Sequence, residues 1–184
     1  MADIAAERVA WRSPLGIASA LFLAWGVLNA LLAVAVPASL LGGGAGATGA
    51  LVLTPETDAV LLGRTLADIG RDDPRLDAYL VSFMLTMCAQ MMAYAILDLG
   101  LAWFALRRAQ GWALWVLSGA ALASFLYFVP VILEYARFGV AVEGAVPLIA
   151  IPVPVVLAVT VLGWYGLRRA GRARPAAAEA PGGA

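Results

Sequence analysis

The sequence predicts an all-α integral membrane protein whose four transmembrane helices form an antiparallel bundle. Hydrophobic residues make up 63% of the 184 residues and charged residues only 13%, which is more apolar surface than a soluble fold of this length can bury. Four stretches exceed the roughly 20 apolar residues that a helix needs to cross a hydrocarbon core of about 30 Å. We therefore expect one transmembrane domain over residues 1–170, followed by a disordered cytoplasmic tail over 171–184.

The first helix is predicted over 15–41, an apolar run without charged residues that follows Arg8 and Arg12. A cleaved signal peptide is the alternative, although this run is longer than the roughly 7–15 residue core of such peptides. The outer loop, 42–73, contains Thr54-Pro55-Glu56, which has the form of a helix start. Apolar residues at helical spacing follow it and predict a short amphipathic helix that lies on the membrane surface or caps the bundle.

The remaining helices are predicted over 74–107, 112–134 and 145–167. Only a tight turn separates the second helix from the third, so these two should be antiparallel neighbours. The fourth contains Pro152 and Pro154 where a straight helix would need backbone donors. A kink or broken turn is expected there.

The distribution of arginine predicts the orientation of the chain. Positively charged flanks of short connections stay on the cytoplasmic side, so both termini should be cytoplasmic. All twelve basic residues are arginine and alanine is abundant, a composition typical of GC-rich bacterial genomes, which places the chain in a bacterial cytoplasmic membrane. The arginine-rich side carries Arg8, Arg12, Arg107, Arg108, Arg168, Arg169, Arg172 and Arg174.

Several kinds of chemistry are excluded by missing residue types. The chain has no histidine and no lysine, so its own residues cannot form His-ligated zinc, bis-histidine haem, a Ser-His-Asp triad or a lysine Schiff base. Cys88 is the only cysteine, which excludes an internal disulfide or a thiol redox pair. We predict no catalytic residues, no metal site, no cofactor and no nucleic-acid partner.

A row of polar residues marks the second helix, at five successive i, i+4 positions. Each step turns about 40° past a full turn, so the row winds along one ridge. A polar group that faces lipid without a partner costs several kcal/mol, and we therefore expect the ridge to point into the bundle. Interhelical hydrogen bonds of about 0.6 kcal/mol each are the structural alternative. The row consists of Ser82, Thr86, Gln90, Tyr94 and Asp98.

Asp98 is the intramembrane acid of this row. It lies nine residues before Arg107, about 13 Å deeper along a helix. A carboxylate at such a depth costs at least about 2.5 to 3.5 kcal/mol to insert, and such residues usually face a partner or a wet cavity. Binding of a ligand or a proton and a purely structural role both stay open.

Matching of depths between helices extends this row to a candidate ligand-binding pocket. Asn29 on the first helix and Tyr127 on the third are expected at levels similar to Gln90 and Tyr94. Glu134 has Arg137 one turn away, which is typical of a charged pair at the membrane boundary. The pocket candidates are Asn29, Gln90, Tyr94, Asp98 and Tyr127, with Ser124 and Glu134 as secondary candidates.

Two functions fit these observations. One is an accessory subunit that packs against a partner membrane subunit or a second copy, and the other is a protein that binds membrane lipid or a hydrophobic small molecule. The alternatives are a small transporter component and a lipid-substrate enzyme that uses the carboxylate of Asp98. Acid-base catalysis would require a second acid, for which Glu134 is the candidate.

Overall fold

The computed structural model describes residues 9–178, with side chains over 9–171. These residues form helices and connecting turns without any strand, which confirms the all-α class. Within them, four helical segments are long and apolar enough to cross a membrane, as expected for a multi-pass membrane protein. These segments are Pro14–Gly43, Pro74–Arg108, Gly111–Arg137 and Pro147–Gly171.

The first long helix, α1, spans Pro14–Gly43. The Ser13 hydroxyl accepts a hydrogen bond from the Gly16 backbone N–H at 3.0 Å, and proline at the first helical position leaves no unsatisfied donor there. The helix ends at Gly44, whose φ of 67° is readily adopted only by glycine. Before the helix, the backbone N–H of Val9 donates to the carbonyl of Arg107 at 2.9 Å.

The loop between the first two long segments begins with a 3₁₀ turn, Ala45–Thr48, and contains two short α-helices where the sequence predicts one. They are α2, Pro55–Leu62, and α3, Leu66–Asp72, and each begins with a threonine in a capping box. At the start of α3, hydrogen bonds from Thr65 lower the pKa of Asp68, which also pairs with Arg71 at 3.2 Å. Local capping therefore determines where the loop becomes helical.

Two carboxylates attach this loop to the long helices. Buried Asp58 accepts backbone N–H groups from 51–53 and the hydroxyl of Tyr135 at 2.7 Å. Asp77 accepts the backbone N–H of Ala45 at 2.9 Å. Each carboxylate thus accepts hydrogen bonds from loop amides that would otherwise have no partner, and these contacts join the loop to the long helices.

The second long segment begins as α4, Pro74–Gly100, and continues through a π-helical turn, Leu101–Ala105, and a 3₁₀ turn, Leu106–Arg108. At its end, the Arg107 guanidinium lies 3.7 Å from the ring centroid of Trp11. This cation–π contact, together with the backbone bond to Val9, holds the start of the described chain against the end of the segment.

The third and fourth segments are each interrupted near proline. Helix α5, Gly111–Leu126, is separated from α6, Phe128–Arg137, by Tyr127, three residues before Pro130. Proline has no backbone N–H and its ring crowds the preceding turn, so the interruption falls where the ladder of hydrogen bonds is lost. The predicted range 112–134 spans the break and ends three residues before the end of α6.

Helix α7, Pro147–Ala150, is likewise separated from α8, Pro152–Ala178, by Ile151. The break lies at the prolines where the sequence predicts a kink. Helix α8 extends beyond the predicted end at residue 167, because the arginine- and alanine-rich segment that follows continues the helix. The predicted tail, 171–184, is therefore helical as far as Ala178, and 179–184 lie outside the described residues.

Packing around α1 organises the bundle, since α1 contacts both α4 and α8, and α5 contacts α8. The hydroxyl of Thr160 on α8 donates to that of buried Ser118 on α5 at 2.7 Å. The apolar core has two clusters, one near each end of α1. The first includes Leu15, Ala18, Phe22, Leu106 and Leu114, and the second includes Leu40, Leu66, Ile69, Leu80 and Met84.

Gly166 permits the closest approach of α8 to α1. A Cβ at this position would lie 2.5 Å from the backbone nitrogen of Leu15. We expect Gly166→Ala to reduce the thermal stability in detergent by about 1 to 3 kcal/mol, because two helix backbones must separate. Gly119→Ala is the matched control, since nothing lies within 4 Å of its added Cβ, and it should gain up to about 1 kcal/mol from helix propensity. Equal melting temperatures for both variants would contradict this packing.

The bond between Tyr135 and Asp58 generates a second prediction. Tyr135→Phe removes a donor to a buried carboxylate, so hydrogen exchange at the amides of 51–53 should increase while the helices remain protected. Tyr127→Phe is the control, because this tyrosine is 76% exposed. Unchanged exchange in the loop of the Tyr135 variant would show that Asp58 does not depend on the phenol.

Candidate functional site

Asp98 lies at the contact between α1 and α4, where its side chain is sealed from the surroundings. The residue is only 1% exposed. A Cβ placed on Gly26 of α1 would lie 3.0 Å from Asp98 Oδ2 and 2.9 Å from Leu99 Cγ. The two helices can enclose this carboxyl because Gly26 has no side chain.

Four buried polar atoms at this contact have no hydrogen-bond partner. They are both carboxyl oxygens of Asp98, the hydroxyl of Tyr94 and the indole nitrogen of Trp25. Tyr94 lies one turn before Asp98, close enough for electrostatic interaction. Its hydroxyl faces the Trp25 indole nitrogen, but the two groups do not form a well-aligned hydrogen bond. We call Trp25, Tyr94 and Asp98 the polar cluster.

The polar cluster combines acceptors with donors and contains no cation. The carboxyl oxygens accept hydrogen bonds, the phenol donates and accepts, and the indole N–H only donates. The described ion pairs join Arg71 to Asp68 and Arg137 to Glu134, both exposed and away from Asp98. Polar groups without hydrogen-bond partners cost several kcal/mol in a membrane. This arrangement therefore suits a small polar group that would form hydrogen bonds with them.

Asn29 lies on the same face of α1 as Gly26, one turn farther along. It is 9% exposed, and its amide nitrogen donates to the carbonyl of Trp25 at 2.9 Å. Among the pocket candidates, Asn29 and Asp98 are buried, and Tyr94 is half-buried with a buried hydroxyl. The amide of Asn29 already donates a hydrogen bond within its own helix, whereas the side-chain oxygens of Tyr94 and Asp98 have no hydrogen-bond partner.

The earlier members of the polar row face outward, which corrects the expectation that the whole ridge points into the bundle. Ser82, Thr86 and Gln90 are exposed. The hydroxyls of Ser82 and Thr86 donate to carbonyls of their own helix at 2.8 and 2.9 Å, so they need no interhelical partner. The physical reason is the winding of the row by about 40° per step, which brings only its last members to α1.

The remaining candidates are also separate from the cluster. Tyr127 is 76% exposed at the break between α5 and α6. Ser124 is exposed and donates to the carbonyl of Ala120 at 3.0 Å. Exposed Glu134 pairs with Arg137 at 2.9 Å. Ser124 and Glu134 have partners of their own and Tyr127 is exposed, so none of these side chains contributes to the site at Asp98.

An apolar cavity of about 390 Å³ lies between α1, α5 and the break before α8. Trp25 and Ala24 line it from α1, Phe125 from α5, and Ile151 and Val155 from the α7–α8 segment. The rings of Trp25 and Phe125 are tilted against each other with centroids 5.5 Å apart. Trp25 belongs both to the wall of the cavity and to the polar cluster, and therefore connects them.

Sequence reasoning did not identify Trp25, Gly26 or the cavity. One signal was present, because membrane tryptophans usually gather at the interfaces, whereas Trp25 lies in the middle of an apolar run. Gly26 is unremarkable among the small residues of that run. Its effect depends on which residue of α4 lies opposite.

Within residues 9–178, no group of three or more His, Cys, Asp or Glu side chains could hold a metal ion. Comparison with protein-family models, curated proteins and solved structures finds no match to this chain. The geometry of the polar cluster and of the cavity is therefore the basis for a proposed function.

The unpartnered carboxyl predicts an unusual response to mutation. Asp98→Leu should raise the melting temperature in detergent, by an amount equivalent to about 1 to 3 kcal/mol, because it removes a buried polar group without partners. Asp98→Ala serves as a second variant, since the smaller side chain avoids any clash with Gly26.

Asp77→Leu provides the control on the same helix. Its carboxylate accepts a hydrogen bond from Ala45, so this substitution should lower the melting temperature. If both substitutions at Asp98 lowered the melting temperature as much as the Asp77 substitution does, the Asp98 carboxyl would have a stabilising partner. The cluster would then have no unpaired carboxyl to offer a ligand.

Proposed function

We propose that this chain binds the apolar part of a lipid-soluble molecule within the membrane. The observation that carries the proposal is the cavity of about 390 Å³ beside Trp25. This volume falls within the roughly 300–1,000 Å³ typical of small-molecule sites, which are mostly apolar with a few convergent polar groups. The cavity supplies the apolar surface, and Trp25 is the member of the polar cluster that lines it.

The separation of the two acids supports binding without catalysis. Glu134 is exposed and paired with Arg137 near the end of α6, while Asp98 is sealed between α1 and α4. Carboxylate acid-base chemistry on one substrate would require both groups within hydrogen-bond reach of it.

We further propose that the long helices form an antiparallel bundle in a bacterial cytoplasmic membrane, with both termini cytoplasmic. The short connection between Arg108 and Gly111 supports an antiparallel pair, and the distribution of arginines supports the orientation. Helices α2 and α3 would then lie on the outer membrane surface. The exposed pair of Asp68 and Arg71 supports that placement.

An accessory role is the second candidate, and Gln90 favours it. This amide is exposed in the middle of a span, where lipid offers no hydrogen-bond partner. A helix of a partner membrane subunit, or of a second copy of this chain, would satisfy the amide. This contact would use the outer face of α4 and would leave the cavity accessible.

Native mass spectrometry of the gently solubilised protein tests both candidates. Ala24 lines the cavity from an exposed position, so Ala24→Phe should fill the cavity and abolish retention of a bound lipid-soluble molecule. Ala35→Phe adds the same ring at an exposed position of α1 outside the cavity lining and should retain the molecule as the wild type does.

Equal retention by both variants would contradict binding in the cavity. A defined partner protein that remains bound in wild type, and is lost in Gln90→Leu, would support the accessory role. Absence of any partner or dimer in mild detergent would contradict that role.

A further inference from the structure

We infer that the polar cluster binds the hydrogen-bond-donating end, a hydroxyl or a protonated amine, of the molecule whose apolar part occupies the cavity. This inference rests on the proposed function and specifies the class of ligand. It makes the ligand an amphiphile with a neutral or cationic polar group, and it excludes ligands with an anionic one.

Trp25 lies between the cavity and the other members of the polar cluster. Its ring lines the cavity and contacts Phe125, while its indole nitrogen is buried without a hydrogen-bond partner and faces Tyr94. The cavity and the cluster therefore lie on two sides of one side chain. The Asp98 carboxyl is sealed in this structure, so a molecule that reaches both the cavity and the cluster would have to displace the Trp25 side chain.

The polar cluster offers unpaired hydrogen-bond acceptors. Two carboxyl oxygens of Asp98 and the hydroxyl oxygen of Tyr94 can accept hydrogen bonds, and each is buried without a partner. A hydroxyl or an ammonium donates to the carboxyl, and the Trp25 N–H can donate to a hydroxyl in return. Such a group would satisfy atoms that lipid chains leave unsatisfied.

No positive charge lies beside Asp98 among the described residues. The arginine nearest to it along the second long segment is Arg107, in the 3₁₀ turn nine residues away or about 13 Å by helical rise. Its guanidinium lies over the Trp11 ring. A carboxylate, sulfate or phosphate placed at the cluster would face the Asp98 carboxyl without a compensating cation, which is unfavourable at low dielectric.

Three probes with the same ten-carbon chain can test the inference. The full chain in phosphatidylcholine nanodiscs is labelled with a photoactivatable decyl probe, and labelled residues of the cavity are identified by peptide mapping. Decylamine, decanol and decyl sulfate then compete for that labelling. In wild type, decylamine and decanol should compete at concentrations at least about tenfold lower than decyl sulfate, because only they donate to Asp98.

Asp98→Leu should remove this discrimination while the decyl chain still competes, so that the three probes act within about twofold of one another. Asp98→Asn keeps the size of the side chain but removes the carboxyl, and should bring decylamine and decyl sulfate to within about twofold of each other. This variant also covers the case in which the leucine variant does not fold. Discrimination that persists in both variants would overturn the inference, as would its absence in wild type.

Failure of the inference is distinguishable from failure of the proposed function. Equal competition by all three probes in wild type leaves binding in the cavity intact and contradicts only the polar selectivity. Labelling of the cavity that is not saturable, with no competition by any probe, contradicts the proposed function itself. Labelling that maps to the outer face of α4 also contradicts both proposals.

Discussion

The close contact of α1 with α4 is the interaction on which the rest of the structure depends. Gly26 has no Cβ to hold the helices apart, so α4 encloses the Asp98 carboxyl against α1. Near the start of α1, Gly166 of α8 allows a second close approach, to Leu15. Helix α1 thus separates a sealed polar contact from an apolar cavity, and Trp25 belongs to both.

Lipid imposes a strict requirement on polar groups, because it offers them no hydrogen bonds. The exposed hydroxyls on α4 meet this requirement by bonding their own helix. Buried Ser118 is paired with Thr160, and buried Asp58 with Tyr135 and loop amides. The unpartnered polar atoms at Asp98 are an exception to this pattern. Buried polar groups that a protein leaves unsatisfied are where a bound molecule contributes most.

The four long helices could be predicted from sequence because apolar length, proline positions and helix caps are local properties. Asp98 was likewise recognisable, since no arginine lies near it along the chain. The outward direction of Gln90 and Tyr127 was not predictable, because it depends on helix rotation and on the break before Pro130. The cavity and the bond from Tyr135 to Asp58 require residues from distant segments. No local pattern encodes such juxtapositions.

The most direct test of an open polar site is infrared difference spectroscopy of the Asp98 carboxyl, assigned by comparison with Asp98→Asn. We expect decanol to shift the carboxyl stretching bands of Asp98 in the wild-type protein, because a new hydrogen bond reaches the carboxyl, and decyl sulfate to leave them in place. A band that responds to neither compound, or equally to both, would show that the carboxyl is closed to ligands and would contradict the account.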